Sequence, residues 1–146
     1  MSKLTLAQAE KIVDVALATR KAQNFKPLSV VVLNDAGDTI CMKREDNTSL
    51  LRTGIATAKA WGALGMGCGG RELERRAKAN PAFFATVTEI AEGRMVPVPG
   101  SVLIRDAGNE IIGAVGVSGD VSGNDEICAV EGIKAAGLKP DTGDPA

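Results

Sequence analysis

The chain lacks histidine and tyrosine altogether, and aromatic residues make up 3% of its 146 residues. The absence of histidine excludes Ser-His and Cys-His nucleophilic systems, histidine-ligated metal sites and the usual general base at neutral pH. Any chemistry must use Lys, Arg, Asp, Glu, Cys or backbone groups, and we predict no metal site. The shortage of aromatic rings, together with the absence of a basic block, predicts a protein that does not bind nucleic acid.

Long apolar stretches are also missing. No run approaches the roughly 18 residues of a membrane-spanning helix, and the N-terminus is polar rather than signal-like. We therefore expect a cytoplasmic protein with no membrane partner. The three cysteines, Cys41, Cys68 and Cys128, are far apart and form no C-x-x-C pair. They predict reduced, mostly buried thiols, with a catalytic cysteine as the alternative.

The remaining composition indicates one folded domain. Apolar residues make up 45% of the chain and the net charge is −1, so a hydrophobic core is available and disorder is not expected. We assign residues 1–146 to a single domain, with its core over about 3–137 and a flexible tail over 138–146.

An eleven-residue pattern occurs twice, over 30–40 and again 71 residues later over 101–111. Each copy has a β-branched run, a D-A-G-[DN] tetrad and a second apolar run. Glycine supplies the positive φ of a short loop and Asp or Asn caps the turn, so each copy predicts a β-hairpin. Two such hairpins predict an α+β fold with one antiparallel β-sheet of four to five strands flanked by helices.

Helical patterns surround the hairpins in the order α-ββ-ααα-ββ-α. Thr5 and Gln8 form a capping box at the start of the first helix. The second helix, capped by Thr48 or Ser49 and ending near Leu64, is rich in Ala and Gly. Because these small side chains let another backbone approach closely, the second helix supports a homo-oligomer.

Two further helices precede the second hairpin. One is a charged surface helix over 71–79, and the other follows the Asn80-Pro81 break. The apolar side chains of this second one are predicted to face the core: Phe83, Phe84, Val87 and Ile90. The glycine-rich 64–70 segment between helices predicts a flexible loop, with a ligand cradle as the alternative, and it lacks the residue order of a P-loop.

Three features are candidates for a functional site. Lys59 lies on a helical line of apolar residues, so its amine either snorkels to the rim or reaches into a pocket. The strand over 113–119 includes Gly116, which indicates close approach of a backbone or a ligand. The turn after it leads to a helix N-terminus that can bind an anion, although Asp125 and Glu126 there can simply complement the helix dipole.

Two arginines, Arg44 and Arg94, are further candidates for binding a carboxylate, with a solvated surface position as the alternative. If Lys59 meets the glycine strand and the helix start, the ligand should be anionic or carbonyl-bearing. We then expect Lys59→Met to abolish binding with little loss of stability, because desolvating an unpaired amine is unfavourable.

These motifs resemble the GlcG/HbpS family, which also supplies the C-terminal domain of PduO-type corrinoid adenosyltransferases. The resemblance covers roughly residues 3–137, and the glycine strand with its following acidic pair is the most specific part. The residues that carry it are Leu4 to Ala9, the first hairpin with Arg44 to Asp46, Lys59-Ala60, Pro97 to Gly100, Gly113 to Gly119 and Asn124 to Glu126.

The resemblance implies a profilin-like fold, homo-oligomers and, for some members, haem binding, whereas other members accompany catabolic enzymes. This chain departs from the family pattern at Ser101, where members often have glycine, and in having no histidine to ligate haem. Haem would have to be held by Met42, Met66, Met95, a cysteine or a lysine. No cofactor is therefore certain, and haem is disfavoured.

The leading hypothesis is a cytoplasmic small-ligand-binding protein of this family, homo-oligomeric and accessory to a catabolic pathway. Its ligand is predicted to be anionic and to contact Arg44, Gly116, Ser118 and Gly119. Another alternative is a structural assembly protein without a ligand.

The alternative of an enzyme needs no cofactor. It would act on a small organic acid or carbonyl compound, with Lys59 as catalytic residue supplying charge or a Schiff-base amine. Asp125 or Glu126 would provide the acid and base.

Overall fold

The computed structural model describes residues 3–145; residues 1, 2 and 146, which the predicted domain and tail include, lie outside this range. The described residues form five helices and five strands, in the order α1 Leu6–Ala22, β1 Ser29–Asn34, β2 Thr39–Arg44, α2 Arg52–Met66, α3 Gly70–Ala79, α4 Pro81–Ile90, β3 Ser101–Arg105, β4 Ile111–Ser118, α5 Ser122–Ala135 and β5 Lys139–Asp141. The strands make one antiparallel sheet in the order β2-β1-β4-β3-β5. This confirms the predicted α+β class and the single antiparallel sheet.

The sheet is covered on both faces. Helices α1 and α5 pack on one face and α2 on the other. Strand β1 lies between β2 and β4, and all of its apolar residues are buried because successive side chains point to opposite layers. Val30 and Val32 face the α1 and α5 layer, whereas Val31 and Leu33 face α2.

The two hairpin tips lie at the same end of the sheet. Strands β1 and β3 both pair antiparallel with β4, so they run in one direction and their turns emerge together. The side-chain acceptor is Asn34 Oδ1 in the first turn and Asp106 Oδ1 in the second. The positive φ falls on Gly37 in the first turn but on Asn109, not Gly108, in the second. Asparagine tolerates this conformation, so the turn is displaced by one residue from the sequence repeat.

The predicted starts of α1 and α4 are confirmed, the latter with Asn80 as cap before Pro81, whereas the predicted start of α2 is not. The capping box of α1 is present, since Gln8 N–H donates to Thr5 Oγ1 and Thr5 N–H donates to Gln8 Oε1. Helix α2 begins at Arg52 rather than at Thr48 or Ser49. The reason is that the Thr48 hydroxyl donates to the Glu45 carbonyl and shapes the preceding loop instead of capping the helix.

Helix α4 does not bury the face that its sequence indicates. Phe84 is buried, but Phe83 is 51% exposed and Ile90 is 76% exposed. The prediction that both face the core is wrong because α4 packs chiefly on α3, beside the sheet rather than on it.

The predicted flexible tail is ordered at its start. Lys139–Asp141 form β5, which pairs antiparallel with β3 at the edge of the sheet. Arg105 Nε donates to Asp141 Oδ2 at 2.9 Å, so an ion pair adds to the backbone pairing. Sequence reasoning missed this strand because Lys139-Pro140-Asp141 is short and carries no apolar alternation.

The backbones of α2 and β4 are in close contact at Gly116. A Cβ built on Gly116 would lie 1.8 Å from the Ala56 carbonyl oxygen and 3.1 Å from the Ala60 nitrogen. Most small residues of α2 are buried inside the protomer, whereas Gly54 and Gly65 are exposed; the buried ones are Ala56, Ala58, Ala60, Gly62 and Ala63. They serve packing inside the protomer, so they do not by themselves indicate a subunit contact.

We expect Gly116→Ala to lower the free energy of unfolding by about 3 kcal/mol or more, because the added carbon overlaps backbone that cannot move aside. Gly54→Ala is the matched control on α2, where a Cβ would meet nothing within 4 Å. That change should leave stability unchanged or raise it by up to about 0.5–1 kcal/mol, since it removes a glycine from the first turn of α2. Urea titration of both variants checks the pair, and equal small effects would contradict the close approach.

Candidate functional site

The most buried ionic contact joins α2 to α5. Lys59 is 3% exposed and Asp125 is 1% exposed. The Lys59 ammonium donates to Asp125 Oδ2 at 3.2 Å and to the Val117 carbonyl at 2.8 Å. We call these three groups the Lys59 hub. The structure thus brings together Lys59, the end of the glycine strand and the start of the last helix.

Neighbouring backbone holds the hub in place. Asp125 Oδ1 accepts from the Asp120 N–H at 3.0 Å, which fixes the carboxylate across the β4–α5 turn. Gly100 has φ +99°, and a Cβ there would lie 2.9 Å from Lys59 Nζ. A glycine before β3 therefore leaves the space that the ammonium occupies.

Burial dominates the electrostatics of the hub. It lowers the pKa of Lys59, and the charge of Asp125 opposes that change. Burial likewise raises the pKa of Asp125, opposed by Lys59 and by the hydrogen bond from Asp120. Within residues 3–145, no buried side-chain nitrogen or oxygen lacks a hydrogen-bond partner. The hub is a closed, satisfied pair that ties α2, β4 and α5 together.

A small cleft lies beside the end of β4. Arg52 Nη1 donates to Ser118 Oγ at 3.2 Å. The cleft has a volume of about 180 Å³ and is lined by Lys26, Pro27, Asn47, Thr48, Ser49, Arg52 and Gly119. We call it the Arg52 cleft. Its lining contains two cations and no carboxylate, so it offers charge and N–H donors to an anion.

Arg44 supports the loop that lines the Arg52 cleft. Its guanidinium donates to the carbonyls of Thr48 and Ser49, two residues of the lining. The following residue, Glu45, is held by Arg20 through two hydrogen bonds of 2.9 Å and accepts from the N–H of Leu28, the residue before β1. The loop is therefore braced by charged groups on its far side.

Glu126 lies away from the hub. Arg71 of α3 binds it through Nε and Nη2 at 2.9–3.0 Å. Consecutive residues of a helix are about 100° apart around its axis, so Asp125 and Glu126 serve different contacts. Of the residues predicted for a site, the structure joins Lys59 with Asp125 and places Ser118 and Gly119 at the Arg52 cleft. Gly116 is covered by α2.

Sequence reasoning missed Arg52 and Lys26. Arg52 precedes Lys59 by seven residues, two helical turns along the same side of α2, and this spacing was the available signal. Lys26 had none, because it comes from the connection between α1 and β1 and reaches the cleft only through the tertiary fold.

Residues 4–134 match the family model described as haem degrading protein HbpS-like. The chain therefore belongs to the HbpS-like family, as the resemblance of its motifs indicated. Comparison with curated protein sequences finds no match.

Solved structures share the fold over most of their length. A PduOC–haem complex matches with a TM-score of 0.83 at 20% identity, covering 97% of this chain and 99% of that chain. Klebsiella pneumoniae protein ORFY matches with a TM-score of 0.79 at 22% identity, covering 92% and 90%. HbpS matches with a TM-score of 0.78 at 25% identity, also covering 92% and 90%.

Because Lys59 is paired with Asp125, its removal should destabilise the fold rather than be nearly neutral. Lys59→Met leaves the Asp125 carboxylate buried without its cation and should cost about 3–5 kcal/mol of stability. Lys78→Met, an exposed lysine on α3 paired with Glu74, is the control and should change stability by at most about 0.5 kcal/mol. Chemical denaturation measures both, and equal effects would contradict the importance of the hub.

The deficit of Lys59→Met should also depend on pH. Burial raises the pKa of Asp125 above its ordinary value of 3.8, and the variant loses the cation that opposes this rise. A carboxyl with a raised folded-state pKa loses stability as pH rises from its unfolded value through its folded value. The stability gap to the unmodified protein should therefore be smaller at about pH 4.5 than at about pH 7. A gap that widens on acidification would contradict this assignment.

Proposed function

We propose that the protein is a small-ligand-binding member of the HbpS-like family that takes an anionic molecule in the Arg52 cleft. One observation carries the proposal: Arg52, oriented by Ser118, lines with Lys26 a cleft that has no carboxylate in its lining. A guanidinium and an ammonium together form a recurrent binding site for carboxylate and phosphate groups.

The size of the cleft sets the ligand class. A volume of about 180 Å³ corresponds to about six water molecules at roughly 30 Å³ each. Inorganic phosphate or the head of a short organic acid fits such a space. Helix α2 begins at Arg52, so the positive end of its dipole adds to the attraction for an anion.

In this proposal Lys59 and Asp125 are positioning residues. The hub fixes Val117, which precedes Ser118, and it fixes the turn that carries Gly119. The enzyme alternative requires the Lys59 amine to reach a carbonyl carbon, but that amine is bonded on two sides and 3% exposed. The catalytic roles of Lys59, Asp125 and Glu126 remain predictions that no contact favours over ligand binding.

The remaining parts of the proposal are a cytoplasmic location, a homo-oligomeric state and an accessory role in catabolism. Three unpaired cysteines support a reducing compartment, and family resemblance supports the other two. Among the described residues, none of the helices combines the length and the apolar character of a membrane span.

A related structure is a haem complex, so the side chains of this protein that could ligate haem iron bear on its function. The chain has no histidine. Burial raises the pKa of all three thiols, that of Cys128 to about 12, which disfavours the thiolate that would bind iron. Met95 is buried against Gly62. These residues do not fit a histidine- or thiolate-ligated haem.

Among the described methionines, Met42 is the one placed to meet a large ligand. It is 40% exposed and lines a groove of about 570 Å³ together with Leu17, Lys21 and Lys43. We expect hemin titration to show at most weak binding with no bis-imidazole spectrum, since one thioether on an open groove is a poor ligand set for haem iron. Met42→Leu should weaken that binding further, whereas Met66→Leu should not. A tight stoichiometric complex with a sharp low-spin Soret band would contradict this expectation.

The anion proposal is tested with Arg52→Gln. Loss of a charge-assisted hydrogen bond should weaken binding of inorganic phosphate or malonate at least about tenfold, which is about 1.4 kcal/mol. Titration followed by amide chemical shifts, with Gly119 as the local reporter, gives the dissociation constants.

Arg76→Gln is the matched control, because Arg76 is a half-exposed arginine of α3 that binds Glu72. Arg76→Gln removes the same charge from a residue that does not line the Arg52 cleft. The affinity for phosphate or malonate should therefore be unchanged. Equal weakening in both variants would show a general charge effect. That result, or no saturable shift in the unmodified protein, would contradict the proposal.

A further inference from the structure

A second cavity lies at the end of the sheet that carries the hairpin tips. Its volume of about 660 Å³ falls within the roughly 300–1,000 Å³ of small-molecule sites. Its walls come from the end of β3, the last turns of α5 and the segment that begins with β5. We call it the Arg105 cavity, after the arginine that ends β3.

The Arg105 cavity and the Arg52 cleft lie at opposite ends of the sheet. Arg105 pairs with Ile111 at the start of β4, whereas Ser118 at the end of β4 accepts from Arg52. Strand β4 has eight residues, so these two ends are about 24 Å apart at about 3.4 Å per residue. The two spaces share no lining residue, so each can be judged by its own chemistry.

The guanidinium of Arg105 is fixed in place but has one free nitrogen. The side chain is 23% exposed. Its Nε donates to Asp141 Oδ2 and its Nη1 donates to the Asn109 carbonyl, both at 2.9 Å. Nη2 donates to no group within residues 3–145, and no buried side-chain nitrogen in that range lacks a partner. Nη2 is therefore open to solvent on a guanidinium whose other two nitrogens are held.

Two lysines add further positive charge to the lining. Lys134 lies in the last turn of α5 and Lys139 begins β5, and both are exposed. Among the described residues neither lysine forms an ion pair with a carboxylate. Lys139 donates to the Ala107 carbonyl at 3.4 Å, which leaves its charge uncompensated.

The two carboxylates of the lining are already engaged. Asp141 accepts from Arg105 through Oδ2 and from the Gly143 N–H through Oδ1, both at 2.9 Å. Asp144 forms ion pairs with two arginines of α3 that do not line the cavity. The charges of both acids are thus met by arginines, and the two lysines remain as an excess of positive charge that attracts anions.

The segment after β5 is a firmly packed wall. A Cβ built on Gly69 would lie 2.2 Å from the carbonyl carbon of Thr142, and the Arg71 N–H donates to the Thr142 carbonyl at 3.0 Å. The cavity is therefore preformed, and a ligand would not have to order this wall on binding.

The remaining lining suits an organic molecule. Val130 of α5 and Pro140 of β5 add half-buried apolar surface, and small-molecule sites combine such surface with a few placed charges. The three cations come from β3, α5 and β5, so they can engage separate groups of one ligand. Phosphate and carboxylate are the groups that arginine and lysine bind most strongly.

We propose that the Arg105 cavity is a second ligand site, which takes a small organic molecule with two or more phosphate or carboxylate groups. Arg105 binds one anionic group through Nη2, and Lys134 and Lys139 bind another. The proposal is independent of ligand binding in the Arg52 cleft.

The test titrates the full-length chain with inorganic pyrophosphate and, separately, with citrate, followed by amide chemical shifts. Asn109 and Thr142 report on the Arg105 cavity, and Gly119 reports on the Arg52 cleft. We expect saturable shifts at Asn109 and Thr142, with an affinity at least about tenfold higher than that of acetate, because a second charged group adds a second charge-assisted contact. The tighter of the two probes identifies the class of anionic group.

Lys134→Gln/Lys139→Gln should weaken this binding at least about tenfold and leave the titration of Gly119 unchanged. Lys11→Gln/Lys78→Gln is the matched control, because it removes the same charge from two exposed lysines outside the cavity. The control should keep the affinity of the unmodified chain.

Circular dichroism checks that both double variants fold, and Lys134→Gln alone replaces the first variant if it does not. Absence of a saturable shift at Asn109 and Thr142 with either probe would overturn the proposal. Equal weakening in the two double variants would also overturn it, since that result reports net charge rather than a site. Neither outcome bears on the Arg52 cleft, which has its own reporter.

Discussion

A charged amine inside a protein layer has to be neutralised where it lies, and the architecture follows from how Lys59 is accommodated. Its ammonium needs a carboxylate and a carbonyl within hydrogen-bond distance, because an unpaired buried charge is strongly unfavourable. Asp125 at the start of α5 and the Val117 carbonyl at the end of β4 meet that need. The helix that carries Lys59 must then lie against β4, and Gly116 allows the two backbones to meet. Ligand chemistry is left to the neighbouring Arg52 cleft.

The parts of this arrangement that sequence analysis predicted are those with local signals. Helical spacing put Lys59 on an apolar line, and the glycine strand indicated a close approach of some backbone or ligand. Sequence analysis could not say whether a backbone or a ligand approaches Gly116, because the register of α2 against β4 depends on the packing of the whole sheet. The same limit applies to the acidic pair. Because Asp125 and Glu126 are adjacent in the sequence, they suggested a joint role. Helical geometry instead directs Asp125 to Lys59 and Glu126 to Arg71.

Elements specified by nearby residues could be predicted from the sequence, whereas elements specified by distant partners could not. The hairpins are specified by residues within a few positions of each other, so their turns and strands could be found directly. Strand β5 and the exposed face of α4 are determined by distant partners. Lys139–Asp141 has no strand pattern, yet the free edge of β3 and the charge of Arg105 order it. In α4, Phe83 and Ile90 suit a core, but α4 lies beside the sheet and leaves them exposed.

Membership of the HbpS-like family fixes the scaffold more firmly than the ligand. The fold persists at 20–25% identity, and function resides in sites that such a scaffold carries. Haem iron is usually held by histidine, a cysteine thiolate, methionine or tyrosine. This chain has neither histidine nor tyrosine, and burial raises the pKa of its three thiols. Binding a small anion requires instead that cations converge without an internal carboxylate to neutralise them. Asp125 is engaged by Lys59, and Asp120, which follows Gly119, accepts from the backbone N–H groups of Lys26 and Val121. Arg52 donates to Ser118 rather than to either acid, so its charge faces the cleft. The buried pair thus contributes to anion binding without touching the ligand.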